Sequence, residues 1–148
     1  MRVLWLGGWL WMSEHAAWTH MRNGMRGKWL AQRHEDKISI GIPDVSYSMP
    51  GVNGWIEIES IQRWPKKPLD IVKVKHFSDT QRVWLKRRGE MGGYCFALLK
   101  VNQEYLLFDA YEDLGKRCRD TLLRSCRIRW PKGINFKQLE KELTTWNF

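Results

Sequence analysis

Three acids in the first half of this 148-residue chain have the types and spacing for metal-assisted chemistry. Asp44 follows directly on Pro43, at the end of the run Gly41, Ile42, Pro43, Asp44. After a turn over Met49 to Gly54 comes an alternating segment, Gly54, Trp55, Ile56, Glu57, Ile58, Glu59. Successive side chains on a strand point to opposite faces, so Glu57 and Glu59 share one face with Trp55, and Ile56 and Ile58 turn into a core. Pairing this strand with the one before it brings Asp44 close to Glu57. Clustered carboxylates resist joint ionisation unless a positive charge sits among them. A hard divalent cation, Mg²⁺ above all, is the usual partner for one or two such carboxylates and a substrate phosphate.

Taken singly, each acid has a plainer explanation. Asp44 is then a turn aspartate after proline, and Glu57 and Glu59 form the solvated face of an edge strand. Their joint order and strand context favour a site.

The elements around these residues follow from local signals. Ser13 to about Asn23 reads as a helix capped by Ser13, with Glu14 in its first turn and Gly24 and Gly27 ending it. Trp29 to Gln32 is a short strand, and Arg33 to Lys37 a polar loop. Val45 to Ser48 and Gly54 to Ser60 are the paired strands. The basic loop Arg63, Trp64, Pro65, Lys66, Lys67, Pro68 is broken by proline. Ser78, Asp79, Thr80, Gln81 form a capping-box pattern that opens a second helix, closed by Arg87 to Gly93. Tyr94 to Val101 is the kind of apolar strand buried on both faces, with Glu104 to Phe108 as its hairpin partner across Asn102 and Gln103. After Ala110 the chain turns helical and basic. This order predicts an α/β fold with a mixed central β-sheet flanked by helices.

Composition bounds the function. Lys and Arg outnumber Asp and Glu by 25 to 16, a net charge of +9. Such a domain suits a polyanion, with nucleic acid ahead of an anionic membrane surface. Phosphate contacts are expected from Arg63, Lys66 and Lys67 on the proline-broken loop and from Arg82, Lys86, Arg87 and Arg88 on the second helix. Trp64 is the candidate to stack on an exposed base. Trp18, Trp29, Trp55 and Trp84 fall among apolar neighbours and are expected in the core. The three cysteines lack ligand spacing, which argues against structural zinc and for a reduced, cytoplasmic setting. The Trp-rich run before Met12 is too short to span a bilayer. It is expected to be an upstream translation start or an appended strand (residues 1–11) rather than an export signal. Residues 12–110 then form the main domain, and 111–148 a basic helical extension packed on it, adding nucleic-acid contacts or covering a sheet face.

Pro43-Asp44, Glu57-Ile-Glu59 and the Ser78/Gln81 helix after the third strand resemble the PD-(D/E)XK nuclease superfamily. Within it the likeness is to small Holliday-junction-resolvase-like and VRR-NUC domains, phage versions included, over about Ser13 to Phe108. The resemblance implies a metal-dependent endonuclease that hydrolyses DNA, on branched or replication intermediates, as a homodimer in the cytoplasm (the host's, for a phage protein) and away from membranes. It implies that Asp44, Glu57 and the Ile58 carbonyl hold Mg²⁺ or Mn²⁺, that Glu14 reaches a metal through water, and that Gln81 lines the site. One position departs from the pattern. The family's lysine, two residues past Glu57, is Glu59 here. A carboxylate in that place is a general base or a second-metal ligand. Lys75 or Lys37 would then supply the missing positive charge beside the DNA. The rival expectation is a catalytically silent nucleic-acid-binding module that kept the fold.

Overall fold

The structure, a computed structural model, describes residues 2–34, 43–74 and 78–148, with side chains of the first helix from residue 13 onward. Helix α1 is Arg2–Gly24, followed by strands β1 (Leu30–Arg33), β2 (Val45–Met49) and β3 (Val52–Ile61). Helix α2 (Asp79–Glu90) leads to β4 (Tyr94–Val101) and β5 (Glu104–Asp109), and a 3-10 turn (Leu114–Lys116) precedes α3 (Arg119–Ser125), β6 (Ile128–Trp130) and α4 (Phe136–Leu143). The six strands form one sheet in chain order, β1-β2-β3-β4-β5-β6. All neighbours are antiparallel except β3 and β4, which are parallel because α2 carries the chain back between them. The mixed α/β sheet expected from the sequence is therefore present.

Each sheet face has its own core. On one, Ile56, Ile58, Phe96 and Leu98 pack under Ala17 and Met21 of α1, Met25 just past its end, and Leu139 and Leu143 of α4. On the other, Cys95, Ala97, Leu99 and Phe108 pack with Leu85 of α2, Leu122 of α3 and Val72 and Val74 of the segment after β3. β4 supplies apolar side chains to both, which is why its sequence shows no polar alternation.

Several sequence expectations need correction. Ser13 does not cap α1, since the helix runs unbroken from Arg2. Despite Gly7 and Gly8, the four residues just before it, Trp9 to Met12, are helix-compatible, so the helix continues through Ser13 and residues 2–11 are not a strand. The turn before β3 is only Pro50-Gly51, with Gly51 at φ +75° and Val52 already paired to Met49. The stretch after Ala110 is not wholly helical, because β6 extends the sheet. Its arginines serve the fold. Arg127 pairs with Asp109 (3.0 Å) and Glu142 (2.7 Å), and Arg129 bonds Glu104 through Nε (2.7 Å). Asn147 adds bonds to the Cys95 carbonyl (2.9 Å) and to Asp109 (2.8 Å). The three cysteines are free. Among the described residues no helix is long and apolar enough to cross a membrane.

One close approach locks β2 to β3. Gly54 lies opposite Tyr47, and a Cβ there would run into the Tyr47 ring. That ring is buried, and its hydroxyl donates to the Leu143 carbonyl at 2.7 Å, so it has nowhere to go. Gly54→Ala is expected to cost about 1–3 kcal/mol, the scale of core overpacking. Thermal unfolding should show it as a fall in Tm of about 2–4 °C per kcal/mol.

Candidate active site

The site begins where β2 stops. The β2–β3 ladder ends at the pair Val45 and Ile56, so Glu57 to Ile61 have no β2 neighbour on that side. Asp44, one residue outside the ladder, closes the gap. Its Oδ2 accepts the Ile58 amide at 2.8 Å, and its own amide donates to Glu57 Oε2 at 3.3 Å. A carboxylate thus takes the place of a missing strand partner. The Ile58 carbonyl, on the same side of the strand as its amide, faces the same gap. His34 braces the turn from outside, its amide donating to the Asp44 carbonyl (2.7 Å) and its Nε2 bonded to Ser46 Oγ (2.8 Å).

Gln81 completes the clasp from α2. The capping box forms as its sequence requires, with Ser78 Oγ accepting the Gln81 amide and Gln81 Oε1 accepting the Ser78 amide at 2.9 Å. The other end of the same side chain, Nε2, donates to Glu57 Oε1 at 2.6 Å. One residue therefore fixes the start of α2 and the orientation of Glu57.

Glu57 and Glu59 are each only 1% exposed. A solvated edge-strand face is thereby excluded: although among the described residues only β4 pairs with this stretch of β3, Asp44 and Gln81 close over Glu57. Burial pushes both carboxyls well above the usual range, with Asp44 and Glu59 adding to the rise at Glu57, and Glu14 and Asp44 at Glu59. Glu14, on α1, is raised to about 7 by burial and by Asp44, against the pull of Arg33. Four acids from three elements thus bear on one another.

Their chemistry fits a hard divalent cation. Every donor is oxygen, and Glu59 Oε1 is buried without a hydrogen-bond partner. Among the described residues no three acids yet converge as a ready ligand set. The carboxyls instead bond one another and the backbone, as acids do when no cation separates them.

No family model and no curated protein matches this sequence. Among solved structures the chain is similar to Hjc, a Holliday junction resolvase from the archaeal hyperthermophile Archaeoglobus fulgidus. The TM-score is 0.54 at 12% identity, over 87% of this chain and 98% of that one. The fold is that nuclease-like fold. At such identity the likeness carries architecture alone, and the site must be argued from its own geometry.

Those of the remaining expected site residues that are described stand outside the clasp. Lys75, Lys37 and His76 fall outside the described residues, as do Gly41 and Ile42. Arg63, Lys66 and Lys67 are exposed beyond the far end of β3, on the wall of a cavity of about 740 Å³. Trp64 is not a free ring there. Its indole N–H donates to Glu104 Oε1 at 2.8 Å and Arg119 lies over its face at 5.2 Å, so it serves as a packing anchor. Arg82 pairs with Asp79 in its own first turn (3.1 Å). Trp18 is buried as expected, but Trp55 and Trp84 are only half-buried, edge to face at 5.1 Å beside the clasp. The signal for that pair was available: Trp55 shares the Glu57 face of β3, and Trp84 lies one turn beyond Gln81.

Proposed function

We propose that this protein is a divalent-metal-dependent endonuclease that hydrolyses DNA phosphodiester bonds, with branched or replication-intermediate DNA as substrate and a homodimer as the cutting unit. The observation that carries this reading is the clasp of Asp44 and Gln81 on the buried Glu57 along the open edge of β3, with the orphaned Glu59 oxygen in the same acid cluster. The net charge of +9 supports a polyanionic substrate.

In this reading Asp44, Glu57 and the Ile58 carbonyl hold Mg²⁺ or Mn²⁺, with Glu14 contributing through water. When bound, the ion neutralises charge developing on the phosphoryl oxygens and acidifies water. The protein's own groups do the positioning. The Ile58 amide holds Asp44 and Gln81 holds Glu57, so neither carboxylate has to be ordered when substrate arrives. Glu59, through Oε1, takes the proton of the attacking water. Its buried, raised carboxyl must first be ionised, which is a reason for the site to need a cation before it can act as a base. Arg63, Lys66, Lys67, Lys75 and Arg82 belong to the reading as backbone contacts, and the cytoplasm as the place of action.

Supercoiled plasmid and a four-way junction, incubated with Mg²⁺, Mn²⁺ or EDTA, test the proposal. Cleavage is expected with either metal and none in EDTA. Cutting that survives EDTA would end the metal-dependent reading, and binding without cutting in any metal would favour a silent module. Glu59→Lys separates the two roles of that residue: a faster rate marks glutamate as a handicap, and a loss marks it as the working base.

A further inference from the structure

Gln81, Trp84 and Arg88 follow at i, i+3 and i+7 on α2, along one stripe of the helix. Gln81 touches Glu57, and Trp84 meets Trp55, two residues back on the same face of β3. About 4.5 Å of helix and 6.6 Å of strand thus lead from the clasp to a pair of indoles. Neither ring is fully buried, unlike Trp18 and Trp130 in the opposite core. The exposed Arg88 guanidinium lies over both, 4.7 Å from the Trp84 centroid and 5.5 Å from Trp55. His34 adds a third ring, 5.6 Å from Trp55, and its amide is the one that braces Asp44.

We propose that Trp55, Trp84 and Arg88 form a stacking ledge for an unpaired nucleobase next to the phosphate to be cut. The proposal rests on the nuclease reading and names the substrate feature that the site would select. Half-buried tryptophans under an exposed guanidinium are an expensive way to close a core, but a suitable platform for a flat π-system. In the free protein Arg88 occupies the place of the base. When a strand docks, the base takes over the ring face and the guanidinium turns to a phosphate, which it can meet with two donors. Paired DNA has no base to offer, so the ledge would direct cutting to junctions, flaps or bulges.

The test uses a duplex with one unpaired 2-aminopurine and its fully paired counterpart, titrated with the full chain in EDTA so that nothing is cut. Wild type should quench the unpaired fluorophore and bind that probe more tightly than the paired one. Trp84→Ala should remove the quenching and weaken binding to the unpaired probe by about 5–150-fold, the range for one stacked base. Its affinity for the paired duplex should stay unchanged, and Trp84→Phe should restore much of the quenching. Arg88→Gln, which leaves both rings in place, should keep the quenching while weakening both probes. Quenching by Trp84→Ala equal to wild type, or equal losses for both probes, would overturn the ledge. Plasmid cleavage with Mn²⁺ is scored separately: a ledge response without cleavage sinks only the nuclease reading, and metal-dependent cleavage without a ledge response sinks only the ledge.

Discussion

On the proposed nuclease reading, Asp44→Ala will lower DNA cleavage by about 10³-fold or more, without lowering the stability of the folded protein at pH 8. The activity loss follows from taking away a carboxylate that would otherwise hold several kcal/mol of charge stabilisation at the phosphate. The stability result is less obvious. Asp44 accepts the Ile58 amide at 2.8 Å, and losing that bond at a part-buried site costs about 1 kcal/mol. Yet the Asp44 charge also raises the carboxyls of Glu14, Glu57 and Glu59. Removing it relieves repulsion among the acids that remain. At pH 8 the two effects oppose and Tm holds or rises. Near pH 5, with the neighbours protonated, only the lost hydrogen bond counts and Tm falls. Thermal melts at both pH values decide it, and an equal fall at each would show that the carboxylate acts as a structural brace alone. Asp44→Asn keeps an acceptor for Ile58 and should melt above Asp44→Ala throughout.

The metal-free protein will lose stability as pH rises from about 5 to 8, and divalent cation will return it. The sign follows from the direction of the shifts. Glu14 binds its proton more tightly folded than unfolded, at about 7 against 4.5. Its contribution is therefore fully present below about 4.5 and is lost as pH rises through about 7. Glu57 and Glu59, also raised, act in the same direction. Glu14 is only part-buried, so its share is discounted for solvent screening. A net loss on the order of 2 kcal/mol, or roughly 4–8 °C in Tm, is expected for the cluster. At pH 8, Mn²⁺ at a hundred times its Kd should restore about 2.7 kcal/mol. At pH 5 it should do little, because protons then occupy the oxygens. Melts in EDTA and in Mn²⁺ across this range check both halves. A Tm that climbs from pH 5 to 8 in EDTA, or a cation effect independent of pH, would contradict the prediction.

Much of this arrangement was legible in the chain because its signals are local. The Ser78 to Gln81 capping box needs four residues, and the alternation of Glu57 and Glu59 with isoleucines needs five. The harder features depend on partners distant in sequence. Trp64 looks like a free aromatic on a basic loop until Glu104, forty residues on, takes its N–H. Glu57 and Glu59 look solvated until Asp44, thirteen residues back, and Gln81, twenty-four on, are seen to close over Glu57. Strand β6 has three residues, too few for any period to show. Helix α1 is longer than its sequence suggests because Ser13, though a good cap, is equally able to sit inside a helix when the residues before it favour one.

The strand order also bears on how the molecule assembles. Each strand lies beside the one that precedes it in the chain, so no strand waits for a partner made much later. The closing contacts of the clasp, from Asp44 to Gln81, span fewer than forty residues, and loop closure over such lengths is inexpensive. Long-range closure enters mainly with α4, where the Tyr47 hydroxyl reaches Leu143 across 96 positions. A ribosome releasing this chain from its N-terminus would expose the elements of the acid clasp first and the helix that pins Tyr47 last. The charged centre is thus assembled early, and the later half of the chain serves to seal it.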